Sequence, residues 1–313
     1  GLISCETLHQ HVSYLATKRK MHDNGHNVHR SGRLVELPNH CLELRYLTYR
    51  IRLVGELFMK CIQRPITFAM MTLLLAGILQ ADEADNKKHP LWPAIRYAES
   101  CLQKVEAIPS YEADFFKYEV VGNSVVKQKM KAKIRHRPFS VYFYFENPHE
   151  GREVLYVEGQ NSGNLLAHEA GLLSVVGTME LAPTNSTAMS ENRYPITMAG
   201  IGNLVKAVIE QWQEEVKFGE SDVKYFKDAQ LGTMTCRVIE CSHPQPRRQF
   251  RFQKTRLWVD DATGLPVRVQ QYGFAKVPGA KPPLVEDYTF TDIRTNVRLT
   301  DADFDRTNTK YAF

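Results

Sequence analysis

His168 and Glu169 stand side by side, a base and an acid of the types that general acid–base hydrolysis uses. A lone pair on a strand is also a common structural arrangement. Asp301, Asp303 and Asp305 repeat the opening of a calcium loop, but an EF-hand would need a glycine where Arg306 stands and a glutamate where Ala312 stands. Thr300 or Asp301 capping a short helix is the other reading. Lys127, Lys129, Lys131, Lys133 and Arg135 recur every second residue, so a strand carries all of them on one face and Val126, Met130, Ala132 and Ile134 on the other. Such a strip suits anions or phospholipid headgroups. It equally suits a solvated outer face whose lysines guard a sheet edge. His136, His168 and His243 fit no metal-ligand spacing, and neither a metal nor a cofactor is expected. Residues 82–313 contain no nucleophile elbow, zinc-protease, P-loop or dinucleotide-binding glycine pattern, so a non-enzymatic role is expected.

Charge beside apolar strands is the remaining signal. Residues 151–159 (GREVLYVEG) and 192–195 (NRYP) place Arg152, Glu153, Arg193 and Tyr194 where they can orient a polar head at the mouth of an apolar cleft. A structural Arg–Glu pair is the alternative. Residues 202–218 predict a helix with the stripe Leu204, Val208, Ile209, Trp212 and Val216. Leu204, Val208 and Trp212 are therefore candidate contacts for an apolar ligand, and the helix is a candidate lid.

These groups need elements to hold them. Residues 90–108 carry Leu91, Ile95, Ala98, Leu102 and Val105 three and four apart and predict a first helix, stopped by Pro109. From Tyr111 the period changes to two. Strands are expected at 111–120, 125–135, 139–146, 153–158, 165–169 and 172–181, with a turn at Asn161-Ser162-Gly163. After the second helix they resume at 223–230, 234–242, 250–260, 265–274 and 284–294, with a hairpin turn at 261–264. About eleven strands joined by short turns predict a mainly β (α+β) fold. A single large curved antiparallel sheet, or half-open barrel, is expected with two helices covering one face.

The 313 residues divide unevenly. Residues 66–79 form an uncharged run of 14. That is shorter than the roughly 20 residues that span a bilayer and matches the apolar core of a secretory signal. Met59, Lys60 and Arg64 before the run and Ala81 after it predict a signal peptide over 59–81, with a buried core helix as the alternative. Residues 1–58 then read as a non-native upstream extension or a disordered stretch, the alternative being a genuine N-terminal domain. Residues 82–89 read as a disordered linker and 90–313 as the β domain. Residues 1–81 hold ten basic and five acidic side chains, leaving thirty of each in the remainder. A neutral domain lacks the charge footprint of a nucleic-acid binder. The mature form is expected in the periplasm or cell envelope, with no transmembrane helix. Its three cysteines, Cys101, Cys236 and Cys241, are expected to be buried thiols, since Cys236 and Cys241 would face opposite sides of a strand.

At residues 134–142 (IRHRPFSVY), 151–158, 192–197 (NRYPIT) and 299–305 (LTDADFD) the chain resembles a family of bacterial secreted proteins known only as a domain of unknown function. It is more distantly similar to the periplasmic lipoprotein-localisation carriers (LolA/LolB-like) at Leu257-Trp258-Val259-Asp260, a turn, and Gly264-Leu265-Pro266-Val267. The resemblance implies a half-open barrel lined with apolar residues and plugged by helices, with lipid acyl chains or lipoproteins as partners. It carries over no ligand-contacting residue. Three functions stay open: a lipid-binding envelope protein, an envelope assembly or interaction protein whose core is filled by its own helices, and a hydrolase using His168 and Glu169.

Overall fold

A computed structural model describes residues 89–277 and 279–313. The segment 1–58, the expected signal peptide 59–81 and the expected linker 82–89 up to its last residue lie outside the described residues. The first helix, α1 (Leu91–Glu106), buries Leu91, Ala94, Ile95, Ala98, Cys101 and Val105. That three-and-four spacing is the apolar stripe of a surface helix. At its end the Ile108 N–H turns back to the Val105 carbonyl, and Pro109 follows.

Eleven strands then form one antiparallel sheet. β1 (Ser110–Val121), β2 (Ser124–His136), β3 (Phe139–Asn147), β4 (Glu153–Val157), β5 (Leu165–His168) and β6 (Thr178–Leu181) make a first meander. β7 (Asp222–Leu231), β8 (Met234–Ser242), β9 (Lys254–Asp260), β10 (Pro266–Tyr272) and β11 (Leu284–Arg294) make a second. Pairing of β1 with β11 joins the two, so β6 and β7 are the outer edges. The chain between β6 and β7 must therefore cross the whole sheet. It does so through α2 (Ser186–Met189), a 3-10 turn at Ile196–Met198 and α3 (Ile201–Glu215). The expected open antiparallel sheet under two long helices is the fold observed.

The two-residue period decides what each face holds. On the covered face Tyr111, Ala113 and Phe115 of β1, Met130, Ala132 and Ile134 of β2, and Val141, Phe143 and Phe145 of β3 join the stripes of α1 and α3 in one core. Gly200 opens α3 with φ +95°, and the N–H of Ile201 donates to the buried Tyr111 hydroxyl at 2.8 Å. On the opposite face Tyr142, Leu155, Val157 and Leu166 pack against Phe304, beside Leu299, Tyr311 and Phe313 of the C-terminal tail.

Some local expectations differ. Residues 172–181 are not one strand: Gly171–Val176 is a 3-10 turn and only Thr178–Leu181 pairs with β5. The turn leaves Leu172 94% and Val175 87% exposed. Residues 250–253 precede the ladder, although Phe250 and Phe252 are buried. α3 ends at Glu215 rather than 218. The basic strip of β2 does lie on the outer face, where Lys129 and Lys131 pair with Glu146, and Lys131 also with Asp114. It guards no edge, however, because β2 sits between β1 and β3. The Asp301–Phe304 turn is capped by a Thr300–Asp303 capping box, while Asp301 pairs with Arg135 and Asp303 with Lys133. The three aspartates thus face different partners. Among the described residues no helix is long and apolar enough to cross a membrane.

Candidate functional site

A cavity of about 630 Å³ lies between the covered face and the chain that crosses it. Its walls are mostly apolar: Phe115, Phe143 and Phe145 from the sheet centre, Leu181 from β6, Val269 from β10, and Leu204 from α3. β6 and β10 are seven strand spacings apart, about 34 Å along the sheet at roughly 4.8 Å each. Side chains from both reach one cavity only because the sheet curls around it.

One end of the cavity is polar, and the period of β1 explains it. The parity that sends Phe115 inward also sends Lys117 and Glu119 inward, and both are buried. The Lys117 ammonium donates to the Glu191 carbonyl at 2.9 Å and to the Asn192 side chain, and lies 3.7 Å from Glu119. Burial lowers its pKa, and the Glu119 and Glu191 charges oppose that shift. Glu119 also accepts the Arg193 backbone N–H at 2.9 Å and the Tyr288 hydroxyl at 2.6 Å. Glu286 accepts from Arg193 Nε at 2.6 Å and from the Tyr194 hydroxyl at 3.0 Å. Burial raises the Glu286 pKa against the pull of Arg193, and burial plus the Glu286 charge pushes Tyr194 up to about 12. Beside this cluster, Arg152 bridges Glu169 at 2.7 Å and Glu191 at 2.9 Å. Burial acts to raise the Glu191 pKa, but the Arg152 hydrogen bond and charge outweigh it and hold it low.

Arg152, Tyr194, Leu204 and Val208 line the cavity. Glu153 does not: it alternates with Val154, is buried on the outer side, and accepts the Ala312 N–H of the tail. Arg152 and Glu153 therefore form no pair with each other. Arg193 fastens the crossing chain, reaching Glu286 and the Val120 carbonyl at 2.7 Å. Trp212 is fully buried in the main core, away from the cavity walls. His168 bonds Thr178 at 3.4 Å on the outer side of β5 while Glu169 turns inward to Arg152, so the two do not work together. Reading the sequence missed Lys117, Glu119, Glu191 and Glu286. The parity of Tyr111, Ala113 and Phe115 was the available signal for the first two. The pairing partners 74 and 93 residues away were not readable.

No curated protein matches the chain. Among solved structures it is similar to a DUF1329 family protein from Desulfovibrio piger, with 12% identity over 70% of this chain and 99% of that one and a TM-score of 0.35. It is similar to the lipoprotein LppX of Mycobacterium tuberculosis, with 13% identity over 67% and 100% and a TM-score of 0.39. A LolA superfamily protein from Nitrosomonas europaea gives 14% over 67% and 97% with a TM-score of 0.28. The family model described as protein of unknown function DUF1571 matches residues 108–313, nearly all of the described fold, and the chain belongs to that family.

Proposed function

We propose that this is an exported periplasmic or envelope protein that holds an acyl chain, from a lipid or a lipidated protein, in the cavity under α3. The cavity itself carries the reading. Its volume of about 630 Å³ falls within the roughly 300–1,000 Å³ of small-molecule sites, and its apolar walls end in a few fixed polar groups. A core filled by its own helices would leave no such space. The polar end suits a headgroup, since Arg152 and Lys117 stand beside the apolar walls. Export rests on the order Met59, Lys60, Arg64, apolar run and Ala81.

Native mass spectrometry of protein purified without detergent, followed by organic extraction, tests this. The expected result is an added mass of lipid size, released on extraction and identified as an acyl-bearing species. A protein that carries no such mass and takes up no fluorescent fatty acid has a filled or inaccessible core, and the reading fails.

A further inference from the structure

Glu215, Cys241 and His243 come together away from the cavity, where the C-terminal end of α3 meets the end of β8. Cys241 and His243 are two apart on an extended run, so both project toward α3. All are buried, at 2% exposure or less. Their donor atoms lie within 4.8 Å of one another. Glu215 Oε2 is 3.3 Å from His243 Nε2 and 3.7 Å from Cys241 Sγ.

The proton inventory calls for a cation, a proton or a metal ion, between His243 and Glu215. His243 Nδ1 lies 3.1 Å from the Glu220 carbonyl, an atom that only accepts, so Nδ1 carries a proton and donates it. A neutral imidazole then presents a bare lone pair at Nε2 toward the carboxylate oxygen. Two acceptors at 3.3 Å repel unless a cation stands between them. A proton on the ring or on the carboxyl would also serve, and the Cys241 thiol donates to the same oxygen, so the contacts call for a bridging cation without choosing between a proton and a metal ion. The same Nδ1 geometry rules out a hydrolytic triad. Ser221 Oγ sits farther away, at 3.4 Å from Nδ1, and a protonated Nδ1 takes no proton from it.

We propose that Glu215, Cys241 and His243 form a buried site for a thiophilic divalent cation of the zinc class. Around tetrahedral zinc, ordinary bond lengths put oxygen and sulfur ligands about 3.6 Å apart and oxygen and nitrogen about 3.4 Å apart. The observed 3.7 and 3.3 Å match two edges of that geometry, and the third, between Cys241 and His243, lies within 4.8 Å. The supporting contacts are those of a metal site. The Glu220 carbonyl holds the imidazole by its other nitrogen, and Gln211 Nε2 donates to Glu215 Oε1 at 2.8 Å. Phe250 stacks on the His243 ring at 3.7 Å. The end of a helix favours positive charge. Binding releases the Cys241 thiol proton to solvent and leaves one coordination position beyond the three protein donors. The site would tie α3 to β8.

The test uses the full chain carrying Cys5→Ser, Cys41→Ser and Cys61→Ser, which removes the upstream thiols. The protein is refolded with cobalt(II), because the buried site must load as the fold closes. The expected result is one cobalt per chain with a thiolate-to-cobalt charge-transfer band, bleached by zinc, and a melting temperature raised by zinc. Cys236→Ser retains the band. Cys241→Ser abolishes it while keeping a native near-ultraviolet circular dichroism spectrum, and His243→Ala weakens cobalt binding at least tenfold. Absence of the band, or its survival in Cys241→Ser, overturns the proposal and leaves a proton as the bridging cation.

Discussion

Ala207 lies on the cavity side of α3, one turn beyond Asn203, and it is the position at which the volume of the cavity can be reduced by design. Each methylene transferred from water into an apolar cavity stabilises the complex by about 0.8 kcal/mol, a factor of about four in Kd. A series of fatty acids should therefore bind about fourfold more tightly per added carbon until the cavity of about 630 Å³ is full, and then level off. Ala207→Trp adds about nine heavy atoms, and a close-packed interior has no room for them beside a full-length chain. Exclusion of even five methylenes costs about 4 kcal/mol, about a thousandfold in Kd for the longest ligands. Ligands short enough to fit the remaining volume should be affected least. The assay is displacement of a fluorescent fatty acid at each chain length, with the exposed Lys206→Trp as control. A plateau at the same chain length in Ala207→Trp and the parent protein refutes the assignment of the ligand to this cavity. So does affinity that is indifferent to chain length.

Gly200→Ala should destabilise the fold by about 1–3 kcal/mol in denaturant titration, because φ +95° is hostile to a side chain and the new Cβ would sit 3.0 Å from the Tyr111 hydroxyl. Thr300→Ala removes the capping box and should cost about 1 kcal/mol, seen as faster amide exchange confined to residues 299–313. Lys129 at 2.7 Å holds the Glu146 carboxyl below its usual range, so this pair's stabilisation is present above pH about 4.5 and lost as pH falls through the lower folded-state value. Glu146→Gln should flatten that acid limb by roughly 0.2–1 kcal/mol, and an unchanged melting profile down the acid range would contradict it. With Trp92 and Trp258 replaced by phenylalanine, Trp212 emission should not move on lipid loading; a shift would put ligand against the core-facing side of α3.

The strands were legible wherever one face is buried and the other wet, because that condition imprints a period of two on the chain. β1 and β2 follow it to within a residue of their expected limits. Residues 172–176 defeated the same reasoning. Leu172, Leu173, Val175 and Val176 have the composition of a strand, but Gly171 and Gly177 at positive φ turn the chain so that those side chains are exposed. Four of the seven expected site residues line the cavity, and three were legible for a similar reason: Leu204 and Val208 follow from the α3 stripe, and Arg152 stands next to an alternating strand. Trp212 shares that stripe yet points into the main core, since a helical stripe wide enough to cover a sheet meets more than one neighbour. The clamps on Arg193 were invisible because Glu119 and Glu286 come from β1 and β11, which only the closure of the two meanders brings side by side.

That clamp has a mechanical corollary. The chain from β6 to β7 is a strap fastened at both rims of the sheet, and Arg193 rivets it to the middle. A strap pinned at mid-span transmits no pull past the pin. Beyond it, α3 is anchored by Ile201, Val205, Val208 and Trp212 and behaves as an abutment. Before it, the span 182–191 is held by Arg152 and Lys117 at Glu191 and rests with Ala188 beside Tyr156 and Leu165. The carboxylates of Glu119 and Glu286 thus divide the strap into two spans that bear load separately.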